Sequence, residues 1–183
     1  MGKLKGQIAY LAGPIDDCKD RGKSWRILVD SYLRTYGVGI LNPLDKSTIN
    51  NPALNEDEKF VLFRKELIEK KQYDKLHETM KEIVRADLAM VDAAHFLIVL
   101  VNKECHMCGT YHELIVASQQ KKPCLIVCKQ GKDNIPPWLY GILPHERFFS
   151  TFNEMLEYLD NIDDGTINDR GWRFFNMDKI YAD

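Results

Sequence analysis

The sequence predicts an α/β fold in a single domain, built on a doubly wound parallel sheet of about five strands. Three observations support this prediction. The chain has 183 residues, which is the length of one ordinary domain. Short apolar runs alternate with stretches in which apolar residues recur at spacings of three and four. Such alternation is typical of right-handed βαβ units, and these units build parallel sheets.

The first half of the chain is predicted to contain two strands and three helices. The first strand, QIAYLA, ends at Gly13 and Pro14 because proline cannot continue a sheet ladder. Gly37 is a good stop for the first helix, and a polar loop rich in Asn and Pro follows the second strand. The strands are residues 7–12 and 38–42, and the helices are residues 24–36, 60–71 and 76–91.

The second half is predicted to contain three strands and two helices. The run HFLIVLV is continuously apolar, which is typical of a strand covered on both faces. Thr151 and Glu154 have the spacing of a capping box, so the last helix begins there. The strands are residues 95–101, 123–128 and a short one at 147–150, and the helices are residues 109–120 and 151–159.

The chain divides into a domain over residues 1–161 and a C-terminal tail over residues 162–183. The tail has no clear periodicity, yet it carries Trp172, Phe174, Phe175 and Tyr181. Aromatic side chains are costly to leave in water, so we expect the tail to pack against its own sheet or a second chain. The second arrangement is favoured, which predicts a homo-oligomer.

Charge and hydropathy exclude several classes of protein. The chain has 25 Lys and Arg against 27 Asp and Glu, so it lacks the basic surface of a nucleic-acid-binding protein. The longest apolar stretch, residues 93–101, is far shorter than the ~20 residues that span a bilayer. The first apolar run leads into a turn rather than a cleavage site, so we expect no signal peptide and a cytoplasmic protein.

The sequence indicates neither a cofactor nor a metal. No GxxxxGK[ST] phosphate loop, no GxGxxG after the first strand and no GxSxG elbow is present. Five cysteines in a cytoplasmic chain are expected to be reduced thiols. A zinc site built from Cys105, Cys108, Cys124 and Cys128 is conceivable, but the spacing is a weak signal and buried or idle thiols are favoured.

Glu113 is the first candidate for a catalytic residue. Ligands of parallel sheets bind outside the carboxyl ends of the strands, and Glu113 follows the third strand in the predicted first turn of a helix. Gly109 allows close approach to a ligand, and the positive end of the helix favours an ionised carboxylate. Such a group is able to attack an electrophilic carbon such as a sugar C1′. The alternative is a solvated first-turn residue.

Two aspartates and a tyrosine complete the pattern. Asp87 and Asp92 lie near the end of the preceding helix, and one carboxyl as nucleophile with another as proton donor is the arrangement that cleaves glycosidic bonds. Tyr10 lies in the first strand, where its hydroxyl points toward the same edge or is simply part of the core. Solvated positions are the alternative for the aspartates.

Several motifs together resemble the nucleoside 2-deoxyribosyltransferase superfamily over about residues 7–150. These are YLAGPI at the first strand, the dyad Asp87-Leu88, HFLIVLV, CGTYHE ending at Glu113, and KKPCLIV. The resemblance implies a flavodoxin-like fold and an enzyme that cleaves the N-glycosidic bond of a nucleoside and passes the sugar to another base. It also implies an oligomer whose sites are completed by a neighbouring subunit.

The resemblance assigns roles to matching residues. Glu113 matches the nucleophile that forms a covalent glycosyl-enzyme. Tyr10 matches the residue that orients this nucleophile, and Asp87 matches the residue that protonates the leaving base. Gly13 and Pro14 match the loop that closes over the nucleoside. The predicted substrate-binding residues are Gly13, Pro14, Ile15, Asp16, Trp25, Asn42, Asp92, Asn102, Gly109 and Thr110.

Other functions stay open. Met107 stands where many of the transferases have Asp and the related 5′-nucleotide N-glycoside hydrolases have Ser. A hydrolase of nucleoside 5′-monophosphates needs cations near the 5′ end, for which Lys23, Arg26 and Lys103 are the candidates. The remaining alternatives are a non-catalytic nucleotide-binding module and an NAD-type glycohydrolase.

Overall fold

The computed structural model describes residues 2–15, 18, 20–46 and 54–174, and it confirms the α/β fold. The described strands are β1 (Ile8–Ala12), β2 (Gly39–Leu41), β3 (Phe96–Val101), β4 (Cys124–Cys128) and β5 (Phe148–Phe149). The described helices are α1 (Lys23–Thr35), α2 (Glu58–Glu69), α3 (Tyr73–Ala93), α4 (Cys108–Gln119), α5 (Pro137–Tyr140) and α6 (Phe152–Asp164).

The five strands form one sheet in the order β2-β1-β3-β4-β5, and every neighbouring pair is parallel. Tyr10 in β1 lies opposite Leu97 in β3, and Ile98 lies opposite Leu125 in β4. This order is the flavodoxin-like form of the doubly wound sheet. The chain reverses its direction of travel across the sheet between β1 and β3.

Alternate residues of each strand face two separate apolar layers. Ala9 and Leu11 pack with α1 and α6, whereas Tyr10 and Ala12 pack with α3 and α4. Residues of β3 and β4 are buried on both faces, as the continuous apolar runs predict. The sheet is therefore the middle of three layers, and the loops at its carboxyl edge lie between the two helical layers.

The structure extends the last helix and adds one that the sequence analysis does not contain. Helix α6 continues to Asp164, past the domain boundary drawn at residue 161, because Ile162 still faces the core. The Thr151 side chain accepts a hydrogen bond from the Glu154 backbone N–H and so caps α6. Helix α5 has only four residues, too few for apolar periodicity to reveal it.

The described part of the tail, residues 162–174, packs on its own chain. The Trp172 ring lies 4.9 Å from the Phe96 ring, and Asp169 accepts hydrogen bonds from Arg147 and from the Tyr158 hydroxyl. Phe175 and Tyr181 lie outside the described residues. Contact between the tail and a second chain stays a prediction.

Two of the five cysteines are joined, contrary to the expectation of reduced thiols. Cys18 and Cys105 form a disulfide, whereas Cys108, Cys124 and Cys128 are free. The 87-residue separation explains why the sequence does not reveal the pair, since only the fold brings the two loops together. Among the described residues, no group of three or more His, Cys, Asp or Glu side chains is arranged to hold a metal ion. No helix in the described ranges has the length and apolar character needed to cross a membrane.

Candidate active site

Two neighbouring cavities lie at the carboxyl edge of the sheet, and both are lined by Pro14 of the loop between β1 and α1. The smaller one, about 340 Å³ in volume, lies beside α3 and α4 and is lined by Asp87 and Glu113. We call it the carboxylate cavity. The larger one, about 680 Å³, lies beside α1 and α6. Both lie where the order of the strands reverses, which is the usual ligand position in this class of sheet.

Tyr10 and Glu113 are joined across the floor of the site. The Tyr10 side chain has no exposed surface, and its hydroxyl donates a hydrogen bond of 2.8 Å to Glu113 Oε1. Burial raises the pKa of Tyr10 well above its usual value, so the hydroxyl keeps its proton and remains a donor. The bond therefore fixes one oxygen of the carboxylate from within the sheet.

Asp87 is held by a cation that the sequence analysis does not name. Lys46, from the segment after β2, has no exposed surface, and its Nζ lies 3.0 Å from Asp87 Oδ1. The same Nζ lies 3.1 Å from Glu56 Oε1. Burying an ammonium group is expensive unless opposite charges surround it, and two carboxylates do so here. Glu56 lines the carboxylate cavity together with Asp87.

The carboxyl groups of Asp87 and Glu113 have raised pKa values. Burial raises the pKa of Asp87 to about 6, and the nearby Lys46 ammonium opposes the rise. Burial and the negative charge of Asp87 raise the pKa of Glu113 to about 8, against the hydrogen bond from Tyr10. Because the two groups interact, both values belong to the pair. The pair therefore holds one proton between about pH 6 and pH 8.

The loop that covers the cavity is anchored by Arg26. This buried side chain of α1 donates hydrogen bonds to the carbonyl oxygens of Leu11, Gly13 and Gly22. Gly13 packs so closely on the Trp25 ring that a Cβ atom there would lie 2.8 Å from it. Any larger residue would push the loop away from the sheet. We call residues 13–22 the covering loop.

The start of α4 corrects one part of the sequence interpretation. The helix begins at Cys108, so Glu113 lies in its second turn and not in the first. The positive end of a helix acts mainly over the first turn, and burial decides the protonation of Glu113 instead. Gly109 and Thr110 do occupy the first turn, and both line the carboxylate cavity.

Eight of the predicted site residues come together around this cavity. Tyr10 is bonded to Glu113, and the others line the cavity wall. They are Glu113, Tyr10, Asp87, Gly13, Pro14, Ile15, Gly109 and Thr110.

Three of the described binding residues, Trp25, Asn42 and Asn102, do not line this wall. Trp25 and Asn102 line the larger cavity, where the Trp25 ring stacks on Phe152 at 5.5 Å. The Asn42 side chain accepts a hydrogen bond from the Leu44 backbone N–H, which forms the turn after β2. Asp16 lies outside the described residues.

Asp92, a predicted substrate-binding residue, lies at the edge of the sheet opposite the carboxylate cavity. It is exposed and accepts a hydrogen bond of 2.5 Å from Gln120 Nε2, near the cavity bounded by Ala94 and His95. Because Asp92 precedes β3, it lies near the amino end of that strand, whereas the carboxylate cavity lies at the carboxyl ends. The same connectivity leaves Asp87, one turn earlier on α3, at the site.

The cations proposed for a 5′-phosphate are also placed elsewhere. The Arg26 side chain donates hydrogen bonds to backbone carbonyl oxygens. Lys23 and Lys103 are exposed, and neither lines the carboxylate cavity. Other basic side chains line this cavity instead, and the packing of separate segments brings them together there. They are Arg64, His106 and His112.

The disulfide connects two loops next to the site. Cys18 belongs to the covering loop, and Cys105 lies between β3 and α4. Both line the larger cavity, and Asn102 Nδ2 lies 3.0 Å from the Cys105 sulfur. The link therefore fixes the covering loop to the segment that leads into the helix of Glu113.

The flavodoxin-like sheet with a carboxyl pair at its strand reversal gives the class of fold, and comparison with known proteins gives the family. The family model described as nucleoside 2-deoxyribosyltransferase matches residues 9–161. The chain belongs to the nucleoside 2-deoxyribosyltransferase family. A search of curated sequences gave no significant match.

Two solved structures share the fold. One is a 2-deoxyribosyltransferase from the psychrotolerant bacterium Bacillus psychrosaccharolyticus, with a TM-score of 0.57 and 18% identity, covering 82% of this chain and 91% of that one. The other is a 2-desoxiribosyltransferase from Leishmania mexicana, with a TM-score of 0.51 and 17% identity, covering 84% of this chain and 97% of that one. At this identity the likeness shows the fold alone.

Proposed function

We propose that the protein cleaves the N-glycosidic bond of a (deoxy)nucleoside and transfers the sugar to another base through a covalent ester on Glu113. The observation that carries the proposal is the hydrogen bond of 2.8 Å from the Tyr10 hydroxyl to Glu113 Oε1, in a cavity that Asp87 also lines. A buried tyrosine fixes the nucleophile, and a second carboxyl supplies a proton.

In the first half-reaction Glu113 attacks C1′ of the sugar. A bond forms between a Glu113 carboxylate oxygen and C1′, and the bond from C1′ to the base nitrogen breaks. The electron pair of that bond goes to the base, which takes the proton from Asp87. Protonating the base makes it a better leaving group, and the covalent ester splits one difficult displacement into two easier ones.

In the second half-reaction another base occupies the place of the first. Its nitrogen attacks C1′, the ester oxygen leaves as the Glu113 carboxylate, and the proton of the incoming base goes to Asp87. Two displacements at the same carbon retain the configuration of the sugar. Between about pH 6 and pH 8 the carboxyl pair holds one proton, mainly on Glu113, so this proton passes to Asp87 before Glu113 attacks and is then available to the base.

The second candidate is a hydrolase of nucleoside 5′-monophosphates, in which water attacks the ester. The basic residues Arg64, His106 and His112 on the cavity wall favour it, because a 5′-phosphate requires positive partners. A non-catalytic nucleotide-binding module would have no use for the bonded Tyr10 and Glu113. An NAD-type glycohydrolase would use the same nucleophile to release nicotinamide.

One assay separates these functions. The protein is incubated with deoxynucleosides, their 5′-monophosphates and NAD, with and without an acceptor base, and the products are separated by chromatography. A new nucleoside that forms only with the acceptor supports the transferase. Free base from monophosphates alone supports the hydrolase, and nicotinamide from NAD supports the glycohydrolase. Glu113→Gln is the matched control, and no product from any substrate would contradict an enzymatic function.

The proposal includes a homo-oligomer located in the cytoplasm. The aromatic residues Phe175 and Tyr181 of the tail support the first point, since aromatic side chains are costly to leave in water. Sedimentation velocity of the full chain is expected to give a mass of at least two chains. A monomer that is fully active would contradict the oligomer.

A further inference from the structure

Lys46 lies in an environment that surface lysines do not share. Its side chain has no exposed surface, and its Nζ lies between Asp87 Oδ1 at 3.0 Å and Glu56 Oε1 at 3.1 Å. Removing one partner of such a buried pair usually destabilises a protein strongly, whereas replacing the whole pair with apolar residues is often neutral or stabilising. A buried ammonium between two carboxylates therefore calls for a reason other than stability.

Hydrogen bonds between separate segments of the chain hold Lys46 and Glu56 in position. The Lys46 backbone N–H donates a hydrogen bond of 2.7 Å to Asn55 Oδ1, one residue before Glu56. The Glu56 carbonyl oxygen in turn accepts a hydrogen bond of 2.6 Å from Arg21 of the covering loop. A continuous series of polar contacts thus runs from the covering loop through Glu56 and Lys46 to Asp87.

The charges around Asp87 make Lys46 decisive for its protonation. Three carboxyl groups line this cavity, those of Glu56, Asp87 and Glu113. The nearby Arg26 guanidinium donates its hydrogen bonds to backbone carbonyl oxygens. Lys46 is the cation in direct contact with Asp87 among the described residues. The charged and titratable groups that face Asp87 and Glu113 are Lys46, Glu56, Arg26 and Tyr10, with Arg64, His106 and His112 on the cavity wall.

We propose that Lys46 is a positioning residue that orients the Asp87 carboxyl and sets when it takes up and releases its proton. The ammonium holds Oδ1, so the other oxygen is the one that faces the leaving base. By favouring the ionised carboxylate, Lys46 also makes Asp87 a stronger acid toward the leaving base. The inference rests on the proposed function, in which Asp87 is the proton donor.

The sign of the effect follows from electrostatics. Without the ammonium, the ionised forms of Asp87 and Glu113 both lose a favourable neighbour, so both protons are released at higher pH. Without the Glu56 carboxylate, the opposite shift is expected. A lysine with only a structural role would change stability without moving the titration of Asp87.

The test compares Lys46→Met with wild type in two measurements. In base exchange, kcat is expected to fall about 10- to 100-fold, a part of the roughly 10²- to 10⁴-fold that acid catalysis typically contributes, with KM within about threefold. The acidic limb of the pH profile is expected to move to higher pH. In a ¹³C NMR titration of aspartate carboxyls, the resonance that disappears in Asp87→Asn is expected to titrate at higher pH in Lys46→Met.

Glu56→Gln and the double variant Lys46→Met/Glu56→Gln keep the test valid if the single change prevents folding. The double variant removes the ammonium and one of its two carboxylate partners together, so that only Asp87 loses its cation. Its Asp87 resonance is expected to titrate at higher pH than that of Glu56→Gln. An Asp87 titration that is the same with and without Lys46 would overturn the inference. The NMR titration needs no turnover, so an inactive wild type refutes the proposed function while the titration still decides the role of Lys46.

Discussion

The Tyr10 hydroxyl, in the first strand, lies 2.8 Å from an oxygen of Glu113, which follows 103 residues later on α4. Two elements on either side of the strand reversal thus meet at one carboxylate. The contact depends on the register of β1 beside β3 and on the packing of α4 over both strands. The sheet itself positions the Glu113 carboxylate, which is the proposed nucleophile, and the loops contribute further lining of the carboxylate cavity.

Tyr10→Phe removes that contact and little else, because the ring remains in the same buried place. Loss of the hydrogen bond frees the Glu113 side chain to rotate, so kcat is expected to fall about 10- to 100-fold in the base-exchange assay. Stability is expected to change by only about 1 kcal/mol, the usual net value of one hydrogen bond. Urea unfolding provides the control, and an unchanged kcat would show that Tyr10 does not orient the nucleophile.

Glu113→Gln is expected to stabilise the protein at high pH. Burial and Asp87 raise the pKa of Glu113 from 4.5 to about 8, so the folded state holds this proton more tightly than the unfolded state. The stability due to that proton is full below pH 4.5 and is lost as pH rises toward 8. Glutamine has no proton to lose, and it still accepts the hydrogen bond from Tyr10.

Urea unfolding at pH 5 and pH 9 measures the effect. At about 1.4 kcal/mol per pKa unit, the gain over wild type at pH 9 is on the order of 2–4 kcal/mol, and it is expected to be small at pH 5. Asp92→Asn is the matched control, since that carboxylate is exposed at the opposite edge of the sheet. A variant that is less stable than wild type at pH 9 would contradict the raised pKa.

The pH profile of kcat/KM is expected to be bell-shaped. The reaction requires one proton on the carboxyl pair, and the singly protonated form prevails between the two pKa values, about 6 for Asp87 and about 8 for Glu113. Activity therefore rises through pH 6 and falls through pH 8. Tyr10→Phe removes a bond that lowers the pKa of Glu113, so the alkaline limb moves to higher pH. A profile that is flat from pH 5 to pH 9 would refute the shared proton.

The disulfide between Cys18 and Cys105 is expected to add stability only under oxidising conditions. A link across 87 residues restricts the unfolded chain, and the usual contribution of a disulfide is about 2–4 kcal/mol. Cys18→Ser is therefore expected to lower the free energy of unfolding by this amount without reductant and to match wild type with dithiothreitol. Cys108→Ser, which removes an exposed free thiol, is the control. Five titratable thiols in the unreduced, unfolded protein would disprove the link.

The sequence predicts the parts of the structure that depend on local pattern or on a continuous motif. Strand and helix positions follow from periodicity, and the catalytic candidates Tyr10 and Glu113 follow from motifs at the ends of β1 and β3. The contact between Lys46 and Asp87 has no such signal. Lys46 belongs to a polar stretch of sequence without periodicity, and its contact with Asp87 on α3 is made only in the folded chain.

The misplacement of Asp92 and the omission of basic residues on the cavity wall also have physical causes. Asp92 and Asp87 look alike in sequence, but one further helical turn carries Asp92 toward the amino end of β3. The basic residues Arg64 and His112 lie on helix faces that polar patterning marks as solvent-facing, yet both line the carboxylate cavity. Each depends on how α2 and α4 sit over the sheet.

Arg26 has a consequence for how the enzyme admits its substrate. It bonds the carbonyls of Gly13 and Gly22, which are the two ends of the covering loop. Arg26 therefore closes the loop at its base, while Cys18 and Arg21 connect its middle to the segments of Cys105 and Glu56. Exchanges at Pro14 or Ile15, which line the carboxylate cavity, are expected to reshape that cavity while the contact of Tyr10 with Glu113 stays in place.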